Sequence, residues 1–223
     1  MIIAPEIILA ASTVSEASQR VGAEWTWYVI RAAGFTAAGL LILLMLSGIG
    51  HVTGFTFRFI EPVKAWIVHK TLAYALCIAI AIHIGFLLID HYIHFSLAQI
   101  LLPFLSTYNN KSQLPGLPLG SLGVSFGILA LYGVIIIVIS SLYWIDSKKR
   151  TWKFLHYISY AVAILVFLHA LYTGSDLRYG LFRLAWIGLG LIVVLGIIAR
   201  LARAGSLKHH EIAPDDEIND KDL

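Results

Sequence analysis

Four histidines stand in stretches that are otherwise apolar. His69 and His83 lie fourteen residues apart within Pro62 to Asp90, and His156 and His169 lie thirteen apart within Thr151 to Gly174. An imidazole inside a lipid-spanning segment is costly, so its presence needs a reason. Two histidines at each of two depths, on two different spans, describe two axially ligated metal centres stacked across a membrane. For a single membrane histidine the plain alternative is a hydrogen bond to a neighbouring helix, and four in matched pairs weaken it. Zinc is the other chemical alternative, but its tetrahedral sites draw ligands at spacings of a few residues, and these pairs are spread too far along the chain for one zinc.

The elements that must carry these residues follow from composition. The chain has 223 residues, 59% hydrophobic and only 13% charged, against about 25% charged in ordinary soluble domains. Its mean hydropathy is +0.82. Apolar runs of about 20 residues match helices that cross roughly 30 Å of hydrocarbon, so the expected fold is an all-α integral membrane bundle. The alternation of a membrane β-barrel is absent. Five spans are expected, at about 25–50, 63–90, 120–145, 152–174 and 181–203. They divide the chain into an N-terminal extracytoplasmic or interfacial segment (1–24), a membrane domain (25–205) and a disordered acidic cytoplasmic tail (206–223). The single cysteine, Cys77, excludes an intramolecular disulfide and a cysteine-built cluster. A net charge of +3 speaks of membrane topology, not of nucleic acid.

Five spans put the termini on opposite sides. Arg58, Lys64, Lys70, the Lys148–Arg150 cluster, Lys153, Arg200, Arg203, Lys208 and Lys221 then share one side, and Arg20, Arg31, Lys111, Arg178 and Arg183 the other. The positive-inside bias places the first set in the cytoplasm and the N-terminus outside. Both histidine spans therefore run from inside to outside. His69 faces His156 at the inner level and His83 faces His169 at the outer level, about 21 Å further along. Fourteen residues turn about 1400°, close to four full turns, so His69 and His83 share a face. Thirteen residues turn about 1300°, roughly 220° beyond three turns, so a straight helix cannot aim His156 and His169 alike. A tilt or local distortion is expected in the fourth span.

Neutral imidazole is a good axial ligand for haem iron, and haem is an apolar disc suited to a bundle interior. The segments VHKTLAY and AIHIGF around His69 and His83, with WKFLHYISY and FLHALYTGSD around His156 and His169, resemble the ferric reductase-like transmembrane domain. That domain is shared by NADPH oxidases, ferric reductases and the haem-binding subunit of the periplasmic methionine-sulfoxide reductase system. The resemblance covers most of residues 30–200. It implies two b-type haems, one held by His69 with His156 and one by His83 with His169, and transmembrane electron transfer to ferric iron, oxygen or a periplasmic redox partner. Many members have six spans. The oxidases' flavin and nicotinamide domain has no counterpart here, and GLGLIVVLG in the fifth span lacks the dinucleotide glycine spacing. No FAD or NAD(P) site is expected in this chain, so the donor implied is a quinol or a separate flavin reductase. The location implied is a bacterial inner or plasma membrane.

Haem propionates are anionic and call for cations at the membrane edge. Lys70 and Arg58 are the inner candidates and Arg178 the outer one; for the two arginines, topology charge or snorkelling is an equal account. Asp90, His91 and His94 form an Asp-His-x-x-His run that suits an ordinary polar helix end better than a metal site. His51 is expected at the interface, and Trp152, Tyr74, Tyr157 and Tyr160 are expected to pack the bundle. The competing reading from another class is a non-redox transporter or assembly subunit whose histidines relay protons or bind substrate.

Overall fold

The computed structural model describes residues 5–90, 93, 95–108 and 119–212. Seven α-helices follow in chain order: α1 (Pro5–Thr53), α2 (Pro62–Ile89), α3 (Leu97–Leu101), α4 (Leu119–Tyr143), α5 (Lys149–His156), α6 (Ile158–Thr173) and α7 (Gly180–Ile212). Five stretches among the described residues are long and apolar enough to cross a membrane: Trp25–Thr53, Pro62–Ile89, Leu119–Tyr143, Lys149–Thr173 and Gly180–Ala202. The all-α, five-span expectation holds, with boundaries within a few residues of those read from sequence.

Two ends differ from the expected division. The first span is the C-terminal part of a longer helix whose backbone begins at Pro5. The last helix continues past residue 205 to Ile212. Residues 213–223 of the expected tail lie outside the described residues, as do His91 and His94.

Local chemistry explains the helix ends. Gly54 takes φ 74°, a left-handed conformation that closes α1. Pro62 opens α2 from the first turn, where its missing N–H is no loss. Ser96 and Gln99 form a reciprocal capping box on α3. Phe104, with φ 66°, is held by its N–H donating to Ser125 Oγ at 2.8 Å, which ties the loop after α3 to α4.

The helices pack as two close pairs, α1 on α2 and α4 on α6, with α7 lying chiefly along α1. The helices that carry His83 and His169, α2 and α6, hardly touch each other. Leu41, Met45, Leu76 and Val193 form a small buried cluster, and Ala38, Leu177 and Trp186 form another. Many large apolar side chains stay exposed, among them Ile67, Ile78, Ile139, Leu191 and Ile198. In water such a surface would aggregate, whereas in a bilayer it is the lipid face.

The α4–α6 contact depends on glycine. A Cβ at Gly123 would lie 2.8 Å from Tyr172 Cβ, and one at Gly133 would lie 2.4 Å from Val162 Cγ2. Val162 is 1% exposed, so it has no room to yield. This is the small-residue packing that lets membrane helices approach without a hydrophobic driving force. Gly133→Ala should lower stability by about 1–3 kcal/mol through overpacking, read as a lower thermal midpoint in detergent. Gly85→Ala, where an added Cβ meets nothing within 4 Å, should leave the midpoint unchanged or raise it.

Candidate functional site

The structure brings the four sequence-selected histidines together in the expected pairs. His69 and His156 have ring centres 6.4 Å apart with planes inclined at 48°. His83 and His169 also have centres 6.4 Å apart, with planes at 89°. α2 and the fourth span, α5 with α6, therefore run in the same direction, each presenting one ring at each level.

The thirteen-residue spacing is met by a break in the fourth span. α5 ends at His156 and α6 begins at Ile158. Between them the Tyr157 N–H is shared by the carbonyls of Lys153 and Phe154, each at 3.2 Å, and the Tyr160 N–H bonds back only three residues, to Tyr157. That tightened turn interrupts the regular helical phase between the two histidines, and each ring lies opposite its partner on α2.

The His83–His169 level is built twice from one device. His83 Nδ1 lies 2.9 Å from the carbonyl of Ile30 on α1, and His169 Nδ1 lies 2.8 Å from the carbonyl of Gly123 on α4. A carbonyl only accepts, so each Nδ1 carries the proton and donates it, and each Nε2 keeps its lone pair. In both cases a glycine stands four residues after the accepting carbonyl. A Cβ at Gly34 would lie 3.1 Å from His83 Nδ1, and one at Gly127 would lie 2.6 Å from His169 Nδ1. Glycine gives each ring the space to lie against the neighbouring helix backbone. Leu41, Leu76, Ile80, Ala130 and Val134 help to line the cavity shared by these two rings.

The His69–His156 level is built differently. His69 Nδ1 lies 3.3 Å from Ser47 Oγ, and Gly48 stands beside its ring. His156 Nδ1 is buried with no hydrogen-bond partner. Each ring has a tryptophan one turn earlier on its own helix: Trp66 stacks on His69 at 6.3 Å, and Trp152 lies 5.2 Å from His156. Trp152 also donates to Ser141 Oγ at 3.2 Å, which anchors α5 to α4.

An imidazole nitrogen sits about 2 Å from a bound transition metal and roughly 1.2 Å from its own ring centre, so two rings sharing one ion have centres about 6.4 Å apart. Both observed pairs meet that distance. Among the described residues there is no group of three or more His, Cys, Asp or Glu able to hold a metal. The donor set thus offers two protein nitrogens per level, across a gap between helices, which fits a flat macrocycle that supplies the remaining ligands.

The structure adds residues that sequence reading passed over. Arg31 on α1 pairs through both Nε and Nη2 with the Asp176 carboxylate beyond α6, at the mouth of the His83–His169 cavity. Lone charges near the ends of apolar segments were the available signal. His51, expected at the interface, lies against His69 with ring centres 5.6 Å apart and donates from Nδ1 to the Ser47 carbonyl at 2.7 Å. Arg200 on α7 bonds the Tyr157 hydroxyl at the helix break. Of the proposed propionate partners, Lys70 and Arg58 are exposed and Arg178 is half-buried. Tyr74, expected to pack inside, is 52% exposed and so faces lipid.

Fold and site together define a multi-pass helical membrane protein holding opposed imidazole pairs at two levels. The family described as ferric reductase like transmembrane component matches residues 33–168, and the chain belongs to that family. The match includes His69, His83 and His156 and stops one residue before His169. Comparisons with curated proteins and with solved structures returned no match. Domains of this family generally bind haem, and their work is electron transfer across a membrane.

The glycine cradle makes a graded prediction. Gly127→Ala forces its Cβ to within 2.6 Å of the His169 ring, Gly34→Ala to 3.1 Å of His83, and Gly48→Ala to 3.4 Å of His69. Loss of haem absorbance in the purified proteins should follow that order, greatest for Gly127→Ala. Gly39→Ala, with nothing within 4 Å, should keep the full spectrum.

Proposed function

We propose that this protein carries electrons one at a time through the bilayer by way of two b-type haems. His69 and His156 hold the inner one, and His83 and His169 hold the outer one. The observation that carries this reading is the repeated 6.4 Å separation of opposed imidazoles at two levels. Haem iron with two imidazole ligands has no open position, so it supplies electron transfer and not direct binding of oxygen.

The protein's own residues do the rest. The carbonyls of Ile30 and Gly123 fix tautomer and ring orientation at the outer level, and such bonds raise ligand basicity. Ser47 does the corresponding work for His69. The apolar helices exclude water from the path. The positive-inside bias sets the orientation, with the His69–His156 level on the cytoplasmic side, and electrons pass from a cytoplasmic donor or quinol toward an extracytoplasmic acceptor. A quinol or a separate flavin reductase is the donor, and ferric iron, oxygen or a periplasmic redox protein is the acceptor. Lys70 and Arg58 at the inner edge and Arg178 at the outer edge are cations available to propionates. The location that suits this work is a bacterial inner or plasma membrane, with the N-terminus outside.

Protein purified in detergent from haem-sufficient cells should give two haems b per chain in the pyridine assay. His83→Ala or His169→Ala should remove one spectral component, and His69→Ala or His156→Ala the other. A colourless protein would overturn the reading and favour a transporter or assembly subunit. Reduction of the haems by a quinol analogue alone identifies a quinol-fed protein, and reduction only after adding a flavin reductase identifies the other donor.

A further inference from the structure

Arg200 is a half-buried cation, two of whose guanidinium nitrogens are covered by surroundings that do not account for them. It sits near the end of the apolar part of α7, in the Gly180–Ala202 span. Its Nη2 donates to the Tyr157 hydroxyl at 3.1 Å. Its guanidinium carbon lies 4.7 Å from the Tyr157 ring centre and 5.5 Å from that of Tyr160. The two tyrosines thus hold it at the break between α5 and α6, next to His156. Nε and Nη1 are shut off from solvent and have no hydrogen-bond partner. An arginine keeps its charge at any accessible pH, and a guanidinium has five N–H donors to satisfy. Leaving buried donors open costs free energy, and more for a charged group. No acidic side chain among the described residues pairs with it; the ion pairs are Arg31 with Asp176 and Lys64 with Glu61.

We infer that Arg200 binds a carboxylate of the inner haem, by donating from Nε and Nη1 to a propionate. The inference rests on the two-haem reading above. Its second support is position. His156 is the last residue of α5, and Tyr157, which Arg200 covers and bonds, is the next residue in the chain. A propionate from a macrocycle held between His69 and His156 has this cation within reach. Lys70 and Arg58, the cations that sequence favours at this level, are exposed. Arg200 then has two roles. It anchors the haem edge, and its charge acts on the iron, holding the inner potential up because a nearby cation opposes the oxidised state.

The test uses full-length protein in detergent and in vesicles of neutral phosphatidylcholine. Haem content and spectroelectrochemical titration are read for the wild type, Arg200→Met and Arg200→Lys. Arg200→Met should lose the inner haem, or retain it with a lowered inner midpoint potential, while the outer component keeps its content and potential. The retained outer component shows that the bundle is folded. Arg200→Lys should keep the inner haem, with a potential nearer to the wild type. Equal haem content and equal inner potentials in the wild type and Arg200→Met would overturn the inference. So would an Arg200→Met effect seen only when phosphatidylglycerol is added, since the guanidinium would then serve a lipid phosphate. A wild type with no haem overturns the underlying two-haem reading instead, so the two failures are distinguishable.

Discussion

An imidazole placed in hydrocarbon brings one N–H donor and one lone pair, and both need partners where water is absent. The arrangement at His83 and His169 satisfies the donor with a backbone carbonyl of the adjacent helix and leaves the lone pair facing its opposite number. Much else in the bundle follows from that hydrogen bond. The ring must lie almost flat against the neighbouring helix, which only a residue without a Cβ permits, and Gly34 and Gly127 stand there. The neighbouring helices must be held close, which accounts for the tight α1–α2 and α4–α6 pairs. With those pairs formed, α2 stays apart from the fourth span, α5 with α6, and the gap between them is where the four rings point.

Membrane bundles that keep a gap between helices face a conflict between packing and vacancy. Helices attract one another through van der Waals contact, which favours closing any gap. Here the pairs take up that attraction internally. Gly123 and Gly133 seat α6 on α4, and Trp186 donates to the Phe167 carbonyl while stacking on the Phe167 ring, which fixes α7 to α6. The Arg31–Asp176 pair joins α1 to the turn after α6 at one end of the cavity. These joints work as struts that hold the pairs at a set distance, so the imidazole separation is a property of the scaffold. Preorganisation of this kind limits how far a centre must rearrange when its charge changes.

The spans and the histidine pairing were legible in the sequence because both rest on averages: hydropathy over twenty residues and the sum of rotations along a helix. The fourteen-residue interval gave a shared face for His69 and His83, and their partners across the gap follow it. The features that were not legible depend on single atoms in a neighbouring helix. Gly34 and Gly48 could be marked as points of close approach, but not as spaces for particular rings. Arg200 counted as one more positive charge on the inner side; only its place over Tyr157 and Tyr160 makes it a different kind of residue from Lys70. Tyr74 was assigned to the interior because aromatic residues usually pack, and on a membrane helix lipid is an equally good neighbour.

The two levels are not equivalent, and the reason lies in the break at Tyr157. On one continuous helix, seating His169 against α4 would fix the direction of His156 as well, and thirteen residues would point it away. Interrupting the helix directly after His156 separates the two choices. α6 takes its phase from the glycines of α4, so His169 is locked by packing and by the Gly123 carbonyl. α5 takes its phase from Trp152 and Ser141, and His156 turns toward His69 without a carbonyl to hold its Nδ1. The unregistered spacing of the second histidine pair therefore has a structural consequence: one level is fixed on both sides by backbone, and the other has latitude on its α5 side. The break that grants this latitude falls at Tyr157, whose side-chain hydroxyl accepts from Arg200.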